Sequence, residues 1–402
     1  MAQYRQLIPV GEVWVTRDQS HTRSATRPWP REIRPCGLRS RLGCVRLPTV
    51  SVREVWSGRA GEVLSAAGAR VAFESRWPRY AAVSDTATMQ IREANLSDVQ
   101  AVTAFAADRG TLGMTDQQLG EEFNAGRMRS DWTWLAMDDV GGLVGRALWW
   151  GREQAAAPIT LDVLDVAGSP ESCAAVGRAL LRAGQDALCV QGARTPLPYT
   201  LRLPTDWRHR SDSIAAVAWR QEALAAAGLT ERNERLQVAW TPGASPVPHP
   251  GRLWFRPGSD EEFRVLFARV ALGSLDVMTQ RSLAVTTPED LARDELDYYT
   301  SSAGERDWWR VATDASGDTV GFVIPSATPY ARNVGYLGVL PQQRGHGHVD
   351  DLLAYVTGFH HAAGARRITA TTDASNAPMA AAFARHGYRT IEVRIDFEPP
   401  AH

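Results

Sequence analysis

Residues 334–349 read VGYLGVLPQQRGHGHV, an apolar strand-like run that passes through a glycine-containing loop directly into a helix. The apolar positions of that helix recur at helical spacing: Val349, Leu352, Leu353, Val356 and Phe359. One helix face therefore packs on a sheet while the helix N-terminus stays free, and its unpaired N–H groups attract a phosphate. Gly345 and Gly347 let the backbone approach a diphosphate without an intervening Cβ, and Arg344 adds a cation nearby.

The loop Gln342-Gln343-Arg344-Gly345-His346-Gly347 resembles the Q/R-x-x-G-x-G/A signature of the GNAT superfamily of N-acyltransferases. The resemblance continues in the family's order through a strand at 368–372, the segment 376–379 and a helix ending at Gly387. It covers the C-terminal part of the chain, with the strongest matches in 334–397. The conjunction of these matches is more specific than a two-glycine loop alone.

The resemblance implies that the strand before the loop and the strand at 368–372 splay apart and hold the pantetheine arm of acetyl-CoA, the co-substrate. Backbone groups of Leu337 and Val339 would pair with that arm, and the N–H of Val339 or Leu340 would point at the thioester oxygen. Asn376 would lie near the cofactor, cap the following helix, or do both. The cofactor-binding residues expected on this basis are Leu337, Val339, Gln342, Gln343, Arg344, Gly345, His346, Gly347, His348, Val349 and Asn376.

The implied mechanism is direct transfer, in which a neutral amine attacks the thioester, a base removes the ammonium proton and an acid protonates the leaving thiolate. The catalytic residues remain unassigned, because Phe383 replaces a tyrosine often found in the family and residues 333–339 contain no carboxylate. Tyr336, Tyr388 and His386 are nearby substitutes, but each has a simpler interpretation as a packing or surface residue. We expect no metal, since only two or three of the histidines near the loop could converge.

The pattern of strands and helices from Met89 onward occurs twice, which indicates an internal repeat of domain size. The first copy reads LDVAGSPESC at 164–173, where the second has its glycine loop. This stretch has one glycine, a proline without an N–H, no arginine and an added carboxylate, so a diphosphate would be repelled. We therefore predict an α/β fold with two tandem GNAT-like domains, each a mixed α+β sheet flanked by helices. The degenerate N-terminal copy would shape the acceptor groove or an interface.

Domain boundaries follow from changes in composition. Residues 1–87 carry 14 Arg against 7 Asp+Glu with little periodicity, and we expect a poorly structured extension. Met89 directly precedes the first convincing strand, so we expect translation to start there. The degenerate domain is placed at 88–241, a proline-rich linker at 242–251 and the acetyltransferase domain at 252–402.

Composition excludes several functions. The chain contains no lysine, which removes P-loop, Schiff-base and pyridoxal phosphate chemistry. The four cysteines have neither zinc-site spacing nor disulfide density. No apolar run suits a membrane span and no basic cluster suits nucleic acid, so we expect a cytoplasmic monomer or homodimer without either partner.

The sequence therefore predicts an acyl-CoA-dependent N-acetyltransferase that acts on a small-molecule or peptide amine. Two alternatives remain open. One is a non-catalytic acyl-CoA sensor, which the missing tyrosine and carboxylate would fit. The other is a tandem acetyltransferase similar to mycothiol synthase, whose two-domain layout 89–402 would match although the helix-borne tyrosine is absent.

Overall fold

The computed structural model describes residues 89–105, 110–243, 251–302, 304–327 and 331–400. The predicted extension at 1–87 and most of the predicted linker lie outside the described residues.

The chain from Met89 to the linker forms a first half of six strands and four helices. In chain order they are β1 (Gln90–Glu93), α1 (Val99–Thr103), α2 (Asp116–Asn124), β2 (Met128–Met137), β3 (Leu143–Trp150), β4 (Thr160–Val166), α3 (Pro170–Val190), β5 (Tyr199–Leu203), α4 (Ser211–Ala226) and β6 (Glu231–Trp240).

The second half repeats this order with one additional helix. Its elements are β7 (Trp254–Arg256), α5 (Asp260–Ala271), α6 (Val277–Leu283), α7 (Pro288–Ser301), β8 (Arg310–Thr313), β9 (Thr319–Ala327), β10 (Arg332–Val339), α8 (His348–Ala362), β11 (Ile368–Asp373), α9 (Ala377–Arg385) and β12 (Arg389–Glu398). The internal repeat predicted from the sequence is thus present among the described residues.

All twelve strands belong to one mixed sheet in the order β1-β2-β3-β4-β5-β12-β6-β11-β10-β9-β8-β7. The two final strands are exchanged: β12 lies beside β5 of the first half, while β6 lies beside β11 of the second. The two exchanged strands also pair with each other, from Arg389 opposite Ala239 to Glu398 opposite Glu231. The two halves share their central strands, so the sheet does not divide into two separate domains. The boundaries predicted at 88–241 and 252–402 therefore remain a prediction.

Each half has an apolar core completed by the strand that it receives. Val393, Ile395 and Phe397 of β12 are buried in the core of the first half, between β5 and the helices α3 and α4. Val238 and Trp240 of β6 are buried with α8 and α9 in the second half. A further core beneath α5 and α7 includes four buried aromatic side chains, Phe263, Phe267, Trp309 and Phe322. Burial of these side chains fixes which face of the sheet each helix covers.

No helix in the described part of the chain combines the length and the hydropathy that crossing a bilayer would require.

Candidate functional site

The central feature of the site is a split between two parallel strands. β10 and β11 are paired at only two positions, Arg332 with Ile368 and Asn333 with Thr369. Beyond this point β10 remains paired with β9, and β11 remains paired with β6. The two strands therefore separate, as predicted, and within the described residues no third strand pairs with the edges that they present to the space between them.

A β-bulge marks the point of separation. The register of β10 against β9 shifts between Asn333 and Tyr336, and Gly335 within the bulge has φ +70°. A Cβ on Gly335 would lie 2.0 Å from the carbonyl oxygen of Ile324, so only glycine fits. Bulges bend the strand that carries them, which turns β10 away from β11.

The backbone of β10 presents one N–H of particular interest to the split. The N–H of Leu340 donates to the carbonyl oxygen of Val320 at 2.9 Å, on the β9 side. Successive amides in a strand point to opposite sides, so the N–H of Val339 points into the split. Two amides were considered as donors to the thioester oxygen. Because the N–H of Leu340 is bonded to β9, the N–H of Val339 is the one that could reach this oxygen.

The glycine loop adopts the conformation that its glycines permit. After a short 3-10 turn at Pro341–Gln343, Gly345 has φ +84° and Gly347 has φ +75°. Gly347 is the N-cap of α8 and provides no side-chain cap. Within the described residues, the backbone N–H groups of 345–349 have no hydrogen-bond acceptor. Gly345 and His346 are exposed, so the loop offers consecutive donors to an anion from solvent.

Two carboxylates in the first turn of α8 are neutralised by neighbours. Asp350 accepts from Arg385 at 2.9 Å and lies 3.2 Å from Nε2 of His386. Asp351 is fully buried and forms an ion pair with Arg252. The loop therefore avoids the repulsion that two free carboxylates would exert on a phosphate.

Arg252, which was not identified from the sequence, contacts the glycine loop directly. Its guanidinium donates to the carbonyl oxygens of His346 at 3.1 Å and Gly347 at 3.0 Å. Because the guanidinium holds both carbonyls, it fixes the orientation of the peptide groups that follow His346 and Gly347. The contact spans more than ninety positions of sequence, so no local motif could have indicated it.

The sequence suggested that Arg344 supplies a positive charge near the diphosphate, but in the structure its side chain has a different role. Its guanidinium donates to the carbonyl oxygens of Gly273 at 2.7 Å, Val270 at 2.9 Å and Val339 at 3.1 Å. It thus caps the C-terminus of α5, where a cation is favourable. Burial lowers the pKa of this guanidinium. A diphosphate in the loop would meet backbone N–H groups, with the Arg344 donors directed elsewhere.

The remaining predicted cofactor residues surround the loop. Gln342 is exposed, while Gln343, His348 and Val349 are partly buried. The pKa of His348 is lowered, and burial is the largest cause of this shift. Leu337 and Val349 pack against the core beneath α8.

Asn376 lies at the start of α9, where its side-chain oxygen accepts from the N–H of Met379 at 3.3 Å. This is the capping role that the sequence suggested for it. Its place beside the cofactor remains a prediction.

The three side chains considered as acid or base occupy structural positions. Tyr388 is buried with its hydroxyl 2.9 Å from that of Thr357, and burial raises its pKa. His386 is buried against Asp350, and burial lowers its pKa. Tyr336 stacks on Phe267 at a centroid distance of 5.7 Å.

The first half has a corresponding split that is filled by protein. β4 and β5 are paired only at Leu161 with Tyr199. The guanidinium of Arg220, which is completely buried, donates to the carbonyl oxygen of Leu164 at 3.1 Å and to Asp165 at 3.2 Å. The N-terminus of α3 is capped by Ser169, so the features of the α8 loop are missing there.

Comparison with known proteins gives one family match. Residues 278–388 match the family model described as the acetyltransferase (GNAT) family. A search of curated proteins finds no match.

Several solved structures are similar to this chain at low identity. A GCN5-related N-acetyltransferase from Sphaerobacter thermophilus is 18% identical with a TM-score of 0.47, over 77% of this chain and 94% of that one. A tandem GNAT protein from the clavulanic acid biosynthesis pathway is 16% identical with a TM-score of 0.39, over 77% and 98%. A GNAT-family acetyltransferase from Colwellia psychrerythraea is 13% identical with a TM-score of 0.39, over 77% and 99%.

Proposed function

We propose that this chain, whose residues 278–388 match the model of the GNAT family of acetyltransferases, transfers the acetyl group of acetyl-CoA to an amine by direct attack. One observation carries the proposal. The split between β10 and β11 opens next to a loop whose backbone N–H groups at 345–349 have no acceptor in the described part of the chain. A thioester arm fits an open strand edge, and a diphosphate fits a helix N-terminus.

The chemistry follows from the placement of these two features. With the diphosphate held at α8 and the pantetheine arm along β10, the thioester carbonyl would reach the N–H of Val339. That N–H would stabilise the negative charge that develops on the oxygen as the amine attacks. Fixing both reactants in one place supplies a further large part of the rate enhancement.

The acceptor is proposed to be a small-molecule or peptide amine. The described body of the chain belongs to the acidic remainder of the sequence, with 30 Arg against 38 Asp+Glu once residues 1–87 are set aside (44 − 14 and 45 − 7). Such a balance favours encounter with a cationic amine.

The experiment measures binding first and turnover second. Acetyl-CoA should raise the melting temperature, and free CoA should be released with at least one member of a panel containing an aromatic amine, a polyamine, an amino sugar and a peptide with a free N-terminus. Binding without release for the whole panel would favour the sensor alternative. No thermal shift would contradict both proposals.

Gly345→Leu tests the loop itself. The Cβ has open space but the residue must keep φ +84°, so the substitution strains the loop and covers its N–H groups. We expect the acetyl-CoA shift to be lost. Gly364→Leu is the matched control, because Gly364 follows the other end of α8 with φ +80° and equally open space. Equal acetyl-CoA shifts in both variants would contradict the proposed loop.

A further inference from the structure

Asp373 is the one carboxylate on the two strands that form the split. β10 reads RNVGYLGV and contains no acid, and β11 reads ITATTD, so its last residue is its only acid. Continued past the bulge, the register that pairs Asn333 with Thr369 places Asp373 across the split from the segment 337–339. On that register the backbone of Asp373 is level with the segment that includes the N–H of Val339.

The side chain of Asp373 lies on the face of the sheet opposite α8. Ile368 and Ala370 of β11 are buried with the side chains of α8 and α9. Alternate residues of a strand point to opposite faces, and Asp373 indeed contacts α6, accepting from the N–H of Val277 at 2.6 Å. With a pantetheine arm entering beside α8, an amine would approach the thioester from the face where this carboxylate lies.

The surroundings of Asp373 are polar yet closed to solvent. The residue is 1% exposed, and its other oxygen accepts from Nδ2 of Asn233 at 2.9 Å and lies 3.3 Å from Nε of Arg235. The charge of Asp276, the N-cap residue of α6, also acts on this carboxylate. Burial, followed by the charge of Asp276, raises the pKa of Asp373, while the Val277 N–H, Asn233 and Arg235 oppose this shift.

Two of the three side chains considered from the sequence lie on the other face of the sheet. Tyr388 is bonded to Thr357 of α8, and His386 is bonded to Asp350 at the diphosphate end of the same helix. Neither faces the side of the sheet from which an amine would approach.

We propose that Asp373 is the general base of the transfer, an inference that rests on the proposed function. The carboxylate accepts one proton from the ammonium group of the acceptor and releases a neutral amine. The nitrogen lone pair then forms the C–N bond to the thioester carbon, and the C–S bond breaks with its electron pair on sulfur. The second proton of the attacking nitrogen passes to the thiolate, and the proton held by Asp373 is released to water that enters the split after the products leave.

Asp373→Asn tests this role, because it removes the proton acceptor with little change in shape. With the panel amine that releases CoA fastest in the wild type, we expect kcat to fall by about 10²–10⁴, the range typical of a general base. The dissociation constant for acetyl-CoA, measured by calorimetry, should be unchanged. The wild-type kcat/KM should decline at low pH as the base becomes protonated, and this decline should disappear in the variant.

Two controls separate catalysis from structure. Asp165→Asn removes a carboxylate that pairs with Arg146 and Arg220 in the first half, and it should cost stability without altering kcat. Arg281→Met loosens α6 by removing its ion pairs with Glu231 and Glu398 while leaving Asp373 in place. It should change the acceptor KM and preserve the pH profile.

The outcomes distinguish the two proposals. If Asp373→Asn keeps the wild-type turnover and the wild-type pH profile, the proposed role of Asp373 is wrong. The proposed acetyltransferase function is not affected by that result. Absence of CoA release in the wild type overturns the function itself. Should the Asn variant not fold, the wild-type profile still decides, because a kcat/KM without a decline on the acid side contradicts a carboxylate base.

Discussion

Single arginines hold parts of the site in place through contacts with residues that are distant in sequence. Arg252 fixes two carbonyls of the glycine loop, and Arg344 joins that loop to the C-terminus of α5. Arg281 of α6 bridges Glu231 at 2.9 Å and Glu398 at 3.3 Å, and so ties this helix to the exchanged strands. In a chain without lysine, the planar guanidinium supplies all such multi-donor contacts.

Glu398 is the residue whose titration should be visible in the stability of the fold. Burial, with the charge of Asp396 as the next cause, raises the pKa of Glu398 from 4.5 to about 7, although Arg281 and Arg235 act against the shift. Between pH 4.5 and 7 the folded state therefore retains a proton that the unfolded state releases. This contribution is present below the unfolded pKa and is lost as the pH rises through the folded pKa.

Glu398→Gln should remove this pH dependence. We expect the free energy of unfolding of the wild type, relative to the variant, to fall by about 1–3 kcal/mol as the pH rises from 5 to 8. Urea unfolding of both proteins at the two pH values measures the difference, and subtraction cancels the contribution of all other groups. A difference that is the same at both pH values contradicts the raised pKa.

At the scale of the element, the helices differ in how their N-termini are satisfied. Ser169 caps α3, Ser259 caps α5 and Asn376 caps α9 by accepting a backbone N–H, but Gly347 provides no cap to α8. A missing cap costs about 1 kcal/mol of helix stability. The helices α1 and α4 also lack a side-chain cap, so it is the combination of an uncapped end with the adjacent split between β10 and β11 that marks α8 as the candidate for a ligand.

Asn376 allows its two suggested roles to be separated. Asn376→Ala should lower the free energy of unfolding by about 1 kcal/mol, whereas Asn376→Asp should preserve the cap. Chemical denaturation measures the stability of each variant, and calorimetry measures acetyl-CoA affinity. If Asn376 also lies beside the cofactor, the Asp variant should bind acetyl-CoA more weakly through its added negative charge. Equal affinity in both variants and the wild type would leave the cap as its sole role, and unchanged stability in the Ala variant would contradict the cap.

The local sequence predicted the strand, loop and helix of the site well. It did not predict the contacts that these elements make with distant parts of the chain. The strand, glycine loop and helix in 334–349 follow from apolar periodicity and from the conformations that glycine permits. Asp373 carries no such signal, because a single acid at the end of a strand resembles any polar residue before a turn. Its importance arises from the register of β11 against β10 and from the contact with α6.

At the scale of the whole molecule, neither half has a complete sheet of its own. β12 separates β5 from β6, and its residues Val393, Ile395 and Phe397 belong to the core of the first half. Phe397 also stacks on Tyr199 at a centroid distance of 6.3 Å. The split in the first half is closed by Arg220, so a single open split remains among the described residues.

Fragments should reveal this mutual dependence. A fragment of residues 89–241 lacks β12 and should show no cooperative thermal transition, because part of its core and the pairing partner between β5 and β6 are missing. Co-expression with a fragment of residues 251–402 should restore a 1:1 complex that melts cooperatively. Circular dichroism and size-exclusion chromatography provide the measurements. Cooperative melting of the first fragment alone contradicts the interdependence.

The sequence by itself determined the repeat, the α/β class and the loop at 342–347, because periodicity, turn chemistry and the need for φ > 0 act over a few neighbouring residues. Only the tertiary structure decided which strands are exchanged, which split is open, and which carboxylate and arginines meet there. Those outcomes depend on burial and on contacts between residues far apart in the chain, such as Arg252 with Gly347 and Asn233 with Asp373. Contacts of this kind have no period and no spacing from which they could be inferred.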